Sequence, residues 1–335
     1  MKHLLIIAGS AQLITALNAL DEIINKNDEI HIIITELSVS NNQYIEFENY
    51  IKVLINYFRN EYNLKIINKI NDVYNKIFVP TYWQPHVQKI IKDYPKNKII
   101  IFGDGVGVVI SKFYFDHQKI KFFRKIQYLI EYMLKYSDLK FIIPNKLFYL
   151  GFEKPKNVLI TKKLNYLKKL NDILLLENFD YLKFLKNKKI SFFFGVNFSE
   201  SSRITQTSEE ELILDFLDNK LKNTEMLIYK PHPRDSKKKI LNLTKIIKKK
   251  FHTKIFVLED NQYVPAELII LKLINLNCKF ENLFCFSTVA ISLKWLFDLN
   301  PNYGLGSKRI NKFFNEKFKK NIVTVENNMH KILKK

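Results

Sequence analysis

Cysteine is scarce in this sequence. Only Cys278 and Cys285 occur among 335 residues. Two thiols are too few for a disulfide framework or for a zinc site built from four cysteines. The sequence therefore predicts a reduced protein of the cytoplasm.

Glycine, proline and long apolar runs are scarce as well. The chain has 8 glycines and 9 prolines, which excludes collagen-like and loop-dominated architectures. No stretch approaches the roughly 20 uncharged residues of a membrane-spanning helix. The apolar run from Leu4 to Ala8 is too short for a secretory signal peptide. We therefore expect neither a spanning helix nor a secretion signal.

Arginine is rare although the chain is strongly basic, with a net charge of +21. The arginines are Arg59, Arg124, Arg203, Arg234 and Arg309. Proteins that read bases or grip nucleic acid phosphates favour arginine for its bidentate hydrogen bonds, so we expect no nucleic acid partner. A solvated lysine surface and an attraction to anionic lipid or glycan both remain open.

The order of apolar segments indicates a two-domain α/β protein. Hydrophobic residues make up 47% of the chain, and its length suggests two domains at about 150 residues each. Short apolar strands alternate with amphipathic helices in the first 102 residues and again from residue 190. We predict two facing Rossmann-like domains, residues 1–155 and 190–335, joined by a linker region at 156–189. Ligands would occupy the cleft between them, beyond the carboxyl ends of the strands.

A glycine-flanked carboxylate follows the last predicted strand of the first half. Gly103, Gly105 and Gly107 surround Asp104 and allow a sharp turn. A carboxylate held there could act as a general base on a substrate hydroxyl. The alternative is an Asp-Gly turn with a solvated side chain.

A rigid turn follows the predicted strand Met226 to Tyr229 in the second half. Pro231 and Pro233 fix the backbone on both sides of His232. Cations at Lys230 and Arg234 suit an anionic ligand, and the histidine could act as a hydrogen-bond donor or general acid toward a phosphate. The alternative is an exposed turn histidine.

Two further groups lie at predicted helix starts. Ser287 and Thr288 follow a strand and could bind an anion, although an ordinary N-cap explains them equally well. Glu267, after Pro265, could accept hydrogen bonds from ribose hydroxyls or merely complement the helix dipole.

The order of these motifs resembles that of bacterial sialyltransferases of the lipooligosaccharide and capsular types, including polysialyltransferases. Those enzymes share an acid-acid-glycine motif, a His-Pro motif and a Ser/Thr motif. The segment Ile6 to Leu13 looks like their opening strand and Gln-containing turn, and Phe194 to Glu200 looks like the start of their second domain. One departure is Gly103, which replaces the first acid and leaves Asp104 as the only carboxylate of its motif.

The resemblance implies a GT-B-like fold and an inverting transfer of sialic acid from CMP-sialic acid to a hydroxyl of a surface polysaccharide or lipooligosaccharide. It implies an N-terminal domain on the acceptor side, a C-terminal domain that binds the donor, and no metal or other cofactor. Asp104 would be the base, and His232 the acid or hydrogen-bond donor to the phosphate. The other implied donor-side residues are Lys230, Pro233, Glu267, Ser287, Thr288 and Gly195. The implied acceptor-side residues are Gly9, Ser10, Gln12 and Gly105.

A basic amphipathic stretch, Lys119 to Lys135, predicts peripheral contact with an anionic membrane at its inner face. The alternative is that its apolar face packs into the first domain. Two other functions stay open: a GT-B enzyme that uses another nucleotide sugar, and a basic protein that binds membrane or nucleic acid. The sequence leaves the oligomeric state open.

Overall fold

The computed structural model describes residues 1–35, 41–80, 94–103, 162–218 and 224–334, with positions 87, 90, 91, 220 and 221. The chain divides into two compact units, Met1–Lys169 and Leu170–Lys335. This division falls inside the segment 156–189 that the sequence predicts as a linker. Asp104, Gly105 and the stretch Lys119 to Lys135 lie outside the described residues.

The first unit contains a parallel five-stranded sheet with the order β3-β2-β1-β4-β5. Its strands are β1 (Lys2–Ile7), β2 (Glu29–Ile34), β3 (Asn63–Ile66), β4 (Lys76–Val79) and β5 (Ile99–Ile101). Among the described residues, its helices include α1 (Ser10–Leu20) and α2 (Asn41–Phe58). Leu4, Leu5, Ile6 and Ile7 of β1 are all fully buried, as expected of a central parallel strand covered on both faces.

Helix α3 (Lys163–Leu176) crosses the division between the units. The sequence predicts that this segment belongs to the linker region 156–189, and Lys169 is one of the charged residues that interrupt its apolar positions. In the structure Lys169 is itself buried, and its ammonium pairs with Glu61 and Asp21. A buried lysine that pairs with two more exposed carboxylates therefore conceals the helical pattern.

The second unit contains another parallel sheet, with the order β10-β9-β6-β7-β8. Its strands are β6 (Lys189–Phe194), β7 (Met226–Lys230), β8 (Lys254–Val257), β9 (Lys279–Cys285) and β10 (Asn302–Tyr303). Its helices are α4 (Gln206–Leu217), α5 (Lys237–Phe251), α6 (Ala266–Asn275), α7 (Val289–Phe297), α8 (Ser307–Phe313) and α9 (Glu316–Leu333).

The two sheets have the same topology. Numbered along the chain within each unit, both run third-second-first-fourth-fifth, the doubly wound order of Rossmann-like domains. The predicted α/β class with two Rossmann-like domains is confirmed. In such sheets the ligand crevice opens where the strand order reverses, here between β1 and β4 and between β6 and β9. That the domains face each other across a cleft stays a prediction.

Candidate functional site

Most of the predicted donor-side residues lie at the carboxyl edge of the second sheet. Gly195 follows β6, Lys230 ends β7, and Ser287 follows β9 by two residues. Glu267 lies in the first turn of α6. This edge is where a doubly wound sheet binds its ligands.

His232 is held in one orientation by its own turn. The backbone N–H of Arg234 donates to His232 Nδ1 at 3.1 Å, so the neutral ring carries its proton on Nε2. Burial, together with the cations Arg234, Lys230 and Lys239, lowers the pKa of His232 to about 3. The half-buried imidazole is therefore neutral at physiological pH and can donate one hydrogen bond from Nε2.

Asp235 closes the same turn from the other side. Its Oδ2 accepts the backbone N–H of His232 at 2.8 Å, and its own N–H donates to the His232 carbonyl at 2.9 Å. Burial raises the pKa of Asp235 to about 6, against the opposing effect of Lys239. Two backbone hydrogen bonds thus fix the histidine between the prolines.

Lys239 is a buried ammonium in contact with three carboxylates. Its Nζ lies 2.8 Å from Asp235 Oδ1, 2.9 Å from Glu200 Oε2 and 3.0 Å from Glu209 Oε2. It also donates to the Val196 carbonyl at 2.7 Å. Burial opposes its charge, but Asp235 and Glu209 outweigh that effect and raise the pKa of Lys239.

Glu209 holds the loop that follows β6. Its carboxylate accepts the backbone N–H groups of Phe198 at 3.2 Å and Ser199 at 3.1 Å, and the Ser199 hydroxyl as well. The side chain is fully buried in the first turn of α4. We call Glu200, Glu209, Asp235 and Lys239 the carboxylate–lysine cluster.

Gly195 permits a close approach between that loop and the histidine turn. Its N–H donates to the Lys230 carbonyl at 2.8 Å. A Cβ at this position would lie 2.6 Å from the backbone nitrogen of His232 and 2.9 Å from Asp235 Oδ2. The structure thus gives Gly195, a predicted donor-side residue, a steric reason to lack a side chain.

Lys230 is buried beneath the turn rather than exposed to a ligand. Only 6% of it is accessible, and its ammonium donates to the Gln262 carbonyl at 2.9 Å. Burial lowers the pKa of Lys230 to about 8, although Glu267 and Asp235 act in the opposite direction. Glu267 is also buried, and its negative charge favours the charged form of the Lys230 ammonium.

Ser287 and Thr288 precede α7. The Ser287 hydroxyl accepts the N–H of Val289 at 3.4 Å and lies 3.6 Å from the sulfur of Cys285. Thr288 is the N-cap residue, but its side chain makes no capping hydrogen bond. Burial raises the pKa of the Cys285 thiol to about 11, so an uncharged thiol lies next to the Ser287 hydroxyl.

The predicted acceptor-side residues of the first unit follow β1. Gly9 is the extended N-cap of α1, and Ser10 begins that helix. Gln12 is buried, and its Oε1 accepts the N–H of Ala8 at 2.6 Å. The carboxyl edge of the first sheet therefore contains these three residues, and Gln12 has a structural role there.

Gly103 follows β5 by two residues and has a φ of +101°. This is a conformation that residues with a Cβ rarely adopt. The first acid of the resembled motif would be strained at this position, which gives a physical reason for the departure seen in the sequence.

Sequence reasoning missed the carboxylate–lysine cluster. Lys239 stands in a run with Lys237 and Lys238, at the start of a lysine-rich segment for which the sequence predicts a helix or a loop and no role in the site. Yet Ile240, Leu243 and Ile247 are the buried apolar positions of α5, and Lys239 is buried beside them. Its position next to this stripe, four residues after Asp235, is the signal that could have found the pair.

No group of three His, Cys, Asp or Glu side chains suited to a metal ion occurs among the described residues. In the part of the chain that the structure describes, no helix is long and apolar enough to cross a membrane.

The family model described as Alpha-2,8-polysialyltransferase (POLYST) matches residues 3–275. No curated protein matches the chain. It is similar to the alpha/beta-galactoside alpha-2,3-sialyltransferase of the luminous marine bacterium Photobacterium phosphoreum, with 12% identity, coverage of 89% of this chain and 96% of that chain, and a TM-score of 0.39. It is also similar to the 2,6-sialyltransferase of Vibrionaceae Photobacterium sp. JT-ISH-224, which was solved with CMP and lactose. The identity is 10%, the match covers 86% of this chain and 69% of that chain, and the TM-score is 0.36. The family match spans most of the chain, and Ser287 and Thr288 lie beyond it.

Proposed function

Because this chain belongs to the alpha-2,8-polysialyltransferase family and is therefore a sialyltransferase, we propose that it transfers sialic acid from CMP-sialic acid to a glycan hydroxyl with inversion. The observation that carries the proposal is the geometry of His232, a neutral histidine whose Nε2–H is the proton left to donate. Such a donor suits a phosphate that gains negative charge as it leaves.

The transfer would be a single displacement. The acceptor oxygen forms a bond to the anomeric carbon of the sialic acid while the bond from that carbon to the CMP phosphate oxygen breaks. Asp104 would take the proton of the acceptor hydroxyl. His232 would stabilise the departing CMP through a hydrogen bond from Nε2 and would not need to be an imidazolium, because its pKa of about 3 keeps it neutral.

The donor would lie at the carboxyl edge of the second sheet. The hydroxyls of Ser287 and Thr288 near the start of α7 suit a phosphate, and Glu267 suits the ribose hydroxyls. Lys230 would act from below as a buried positive charge, since its ammonium is engaged with the Gln262 carbonyl. We propose that these groups serve in place of a metal ion, and the transfer assay is therefore run with EDTA present.

The family description makes an oligosialic acid chain the first acceptor to assay. Asp104, Gly105, Gly9, Ser10 and Gln12 are the proposed acceptor-side residues. A surface polysaccharide or lipooligosaccharide is the proposed natural acceptor class.

The test combines nucleotide binding with a matched pair of histidine variants. In His232→Asn the amide oxygen can still accept the Arg234 N–H, but the Nε2 donor is lost. We expect a loss of about 10²–10³-fold in the transfer rate. His252→Asn, at the exposed αL cap of α5, should keep the wild-type rate, because asparagine tolerates that conformation.

CMP should raise the melting temperature of both variants and of the wild type more than UDP or GDP does. A shift with UDP but not with CMP would move the assignment to another nucleotide sugar. Wild-type transfer by His232→Asn would show that His232 does not assist the leaving group.

A further inference from the structure

We propose that Asp235 is a positioning residue for His232, and that Lys239 and Glu209 hold it in place. The inference deepens the proposed function and rests on it for the role of His232. Nothing in the displacement itself requires the carboxylate–lysine cluster, yet the cluster lies directly behind the histidine turn.

Both oxygens of Asp235 are engaged in fixed directions. Oδ2 accepts the His232 N–H at 2.8 Å, and Oδ1 accepts from Lys239 at 2.8 Å. The ring nitrogen Nδ1 is in turn held by the N–H of Arg234. A displacement of Asp235 would therefore move the backbone of His232 and, with it, the direction of Nε2–H.

Lys239 and Glu209 also fix the neighbouring loop, which follows β6, through hydrogen bonds. Lys239 donates to the Val196 carbonyl at 2.7 Å, and Glu209 accepts the N–H groups of Phe198 and Ser199. The loop after β6 and the turn after β7 are thus joined through one ammonium. A Cβ at Gly195 would lie only 2.6 Å from the His232 nitrogen, so these two segments have little room to shift separately.

The composition of the cluster indicates that it positions the histidine turn and does not only stabilise the fold. Three carboxylates contact one buried ammonium, and two of them, Asp235 and Glu209, are themselves buried. The burial of these two charges is only partly compensated by pairing. Well-packed apolar side chains of similar volume often stabilise a core equally well or better. What apolar side chains do not supply is a set of directed hydrogen bonds to the histidine turn and the loop.

The experiment is a double-mutant cycle between Asp235→Asn and His232→Asn. Asparagine keeps the shape of Asp235 but removes the charge that pairs with Lys239. We expect kcat to fall about 10–100-fold, the order of the loss for a misplaced catalytic group, with a smaller change in the donor KM. In the His232→Asn background the same substitution should have almost no further effect on kcat, because it acts through the histidine.

Glu326→Gln is the matched control. Glu326 is another buried carboxylate of the second unit and accepts the N–H groups of Leu305 and Gly306. It should cost stability but should leave kcat unchanged in both backgrounds. If Asp235→Asn does not fold, Glu200→Gln replaces it, because Glu200 is the partly exposed end of the cluster. A smaller loss of kcat, again abolished in the His232→Asn background, is then expected.

A second measurement does not depend on turnover. The ¹⁵N shifts of the His232 ring report which nitrogen carries the proton. The wild type and Glu326→Gln should show the Nε2–H tautomer, and Asp235→Asn, or Glu200→Gln in its place, should show a mixture. Wild-type kcat, an equal slowing in both backgrounds or an unchanged tautomer would each overturn the inference. Failure of the proposed function would appear separately, as a fast His232→Asn enzyme.

Discussion

The two units share one topology but differ in where they bury their polar groups. In the first unit Asp28, His31 and Tyr74 lie at the amino ends of the strands, where His31 Nδ1 lies 2.9 Å from the Tyr74 hydroxyl and Nε2 lies 2.7 Å from Glu29. In the second unit the carboxylate–lysine cluster lies beyond the carboxyl ends of β6 and β7. Among the described residues, the buried polar groups of the first unit are thus at the opposite edge of their sheet from the ligand crevice. The carboxylate–lysine cluster is beside the crevice of its own sheet.

In a doubly wound domain, the role of a buried polar cluster depends on which edge of the sheet it occupies. Ligands bind at the carboxyl edge, so a cluster there can orient groups that touch a ligand. The members of a cluster at the amino edge can hydrogen-bond and pack with one another, as His31 and Tyr74 do, without affecting the site. Whether a polar cluster lies at the amino or the carboxyl ends of the strands therefore indicates its role better than its burial or its charge does.

The largest effect that we expect concerns Asp104, which lies outside the described residues and which the sequence predicts to follow the last strand of the first half. Asp104→Asn keeps shape but removes basicity, so the transfer rate should fall about 10²–10⁴-fold. CMP affinity should be unchanged, since the other unit is proposed to bind the donor. Transfer rate and CMP affinity are measured on the same preparation.

Asp28→Asn is the control at the amino edge of the first sheet. Asp28 accepts the N–H of Asn25 at 2.9 Å and contacts His3, so the change should lower the free energy of unfolding by about 1–3 kcal/mol. Its transfer rate should stay at the wild-type level. A reversed outcome, with Asp28→Asn slow and Asp104→Asn fast, would break the distinction between the edges.

Two glycines at equivalent places in the two sheets provide a second test of the difference between the units. Gly9 follows β1 and Gly195 follows β6, each after the first strand of its sheet. Gly195→Ala should lower the free energy of unfolding by about 2–3 kcal/mol, because its Cβ would meet the backbone nitrogen of His232 at 2.6 Å. Gly9→Ala should be nearly neutral, since its nearest contacts are ordinary ones at 3.9 Å. Denaturant unfolding of both variants measures the difference, and equal losses would contradict it.

The smallest effect is a pH dependence that belongs to His232. Its pKa is about 3 in the folded protein and about 6.5 when unfolded. The unfolded state therefore binds a proton first, and stability is lost as the pH falls below 6.5. From pH 7.5 to 5.5 this amounts to about 1 kcal/mol.

The pH effect is measured as a difference between proteins. His232→Asn should lose less stability than the wild type over this range, while other groups, including Asp235 with its opposite shift, cancel between the two. Identical pH profiles would mean that His232 is not held neutral by burial. Urea unfolding at the two pH values provides the comparison.

Much of the fold was predictable because apolar runs and turn residues indicate parallel strands directly. The segments before Gly9, Gly195 and Pro231 are such runs. The sequence did not predict β4, a four-residue strand just before Pro80, nor β10, which has two residues. The lysine-rich helices α8 and α9 also escaped prediction, because pattern alone does not show which lysines face solvent.

The candidate site was predictable in part for the same reason. Residues directly after strands are placed by the topology, so His232, Ser287 and Gly195 could be named in advance. The partners of Lys239 come from α4, from the loop after β6 and from the turn before α5. The four-residue spacing indicates the pair of Asp235 and Lys239, but no local spacing predicts that Glu200 and Glu209 meet the same ammonium.

The shared strand order also has a consequence for the time course of folding. In each sheet the pair that opens the crevice is the pair most distant in sequence, since Leu4 of β1 pairs with Ile77 of β4 and Phe192 of β6 pairs with Leu283 of β9. Pairing across such long loops is entropically costly and slow. Within each described sheet, strand pairs nearer in sequence can form earlier, and the crevice appears when its distant pair closes. A nascent chain would therefore acquire much of its secondary structure before it could bind the proposed nucleotide-sugar donor.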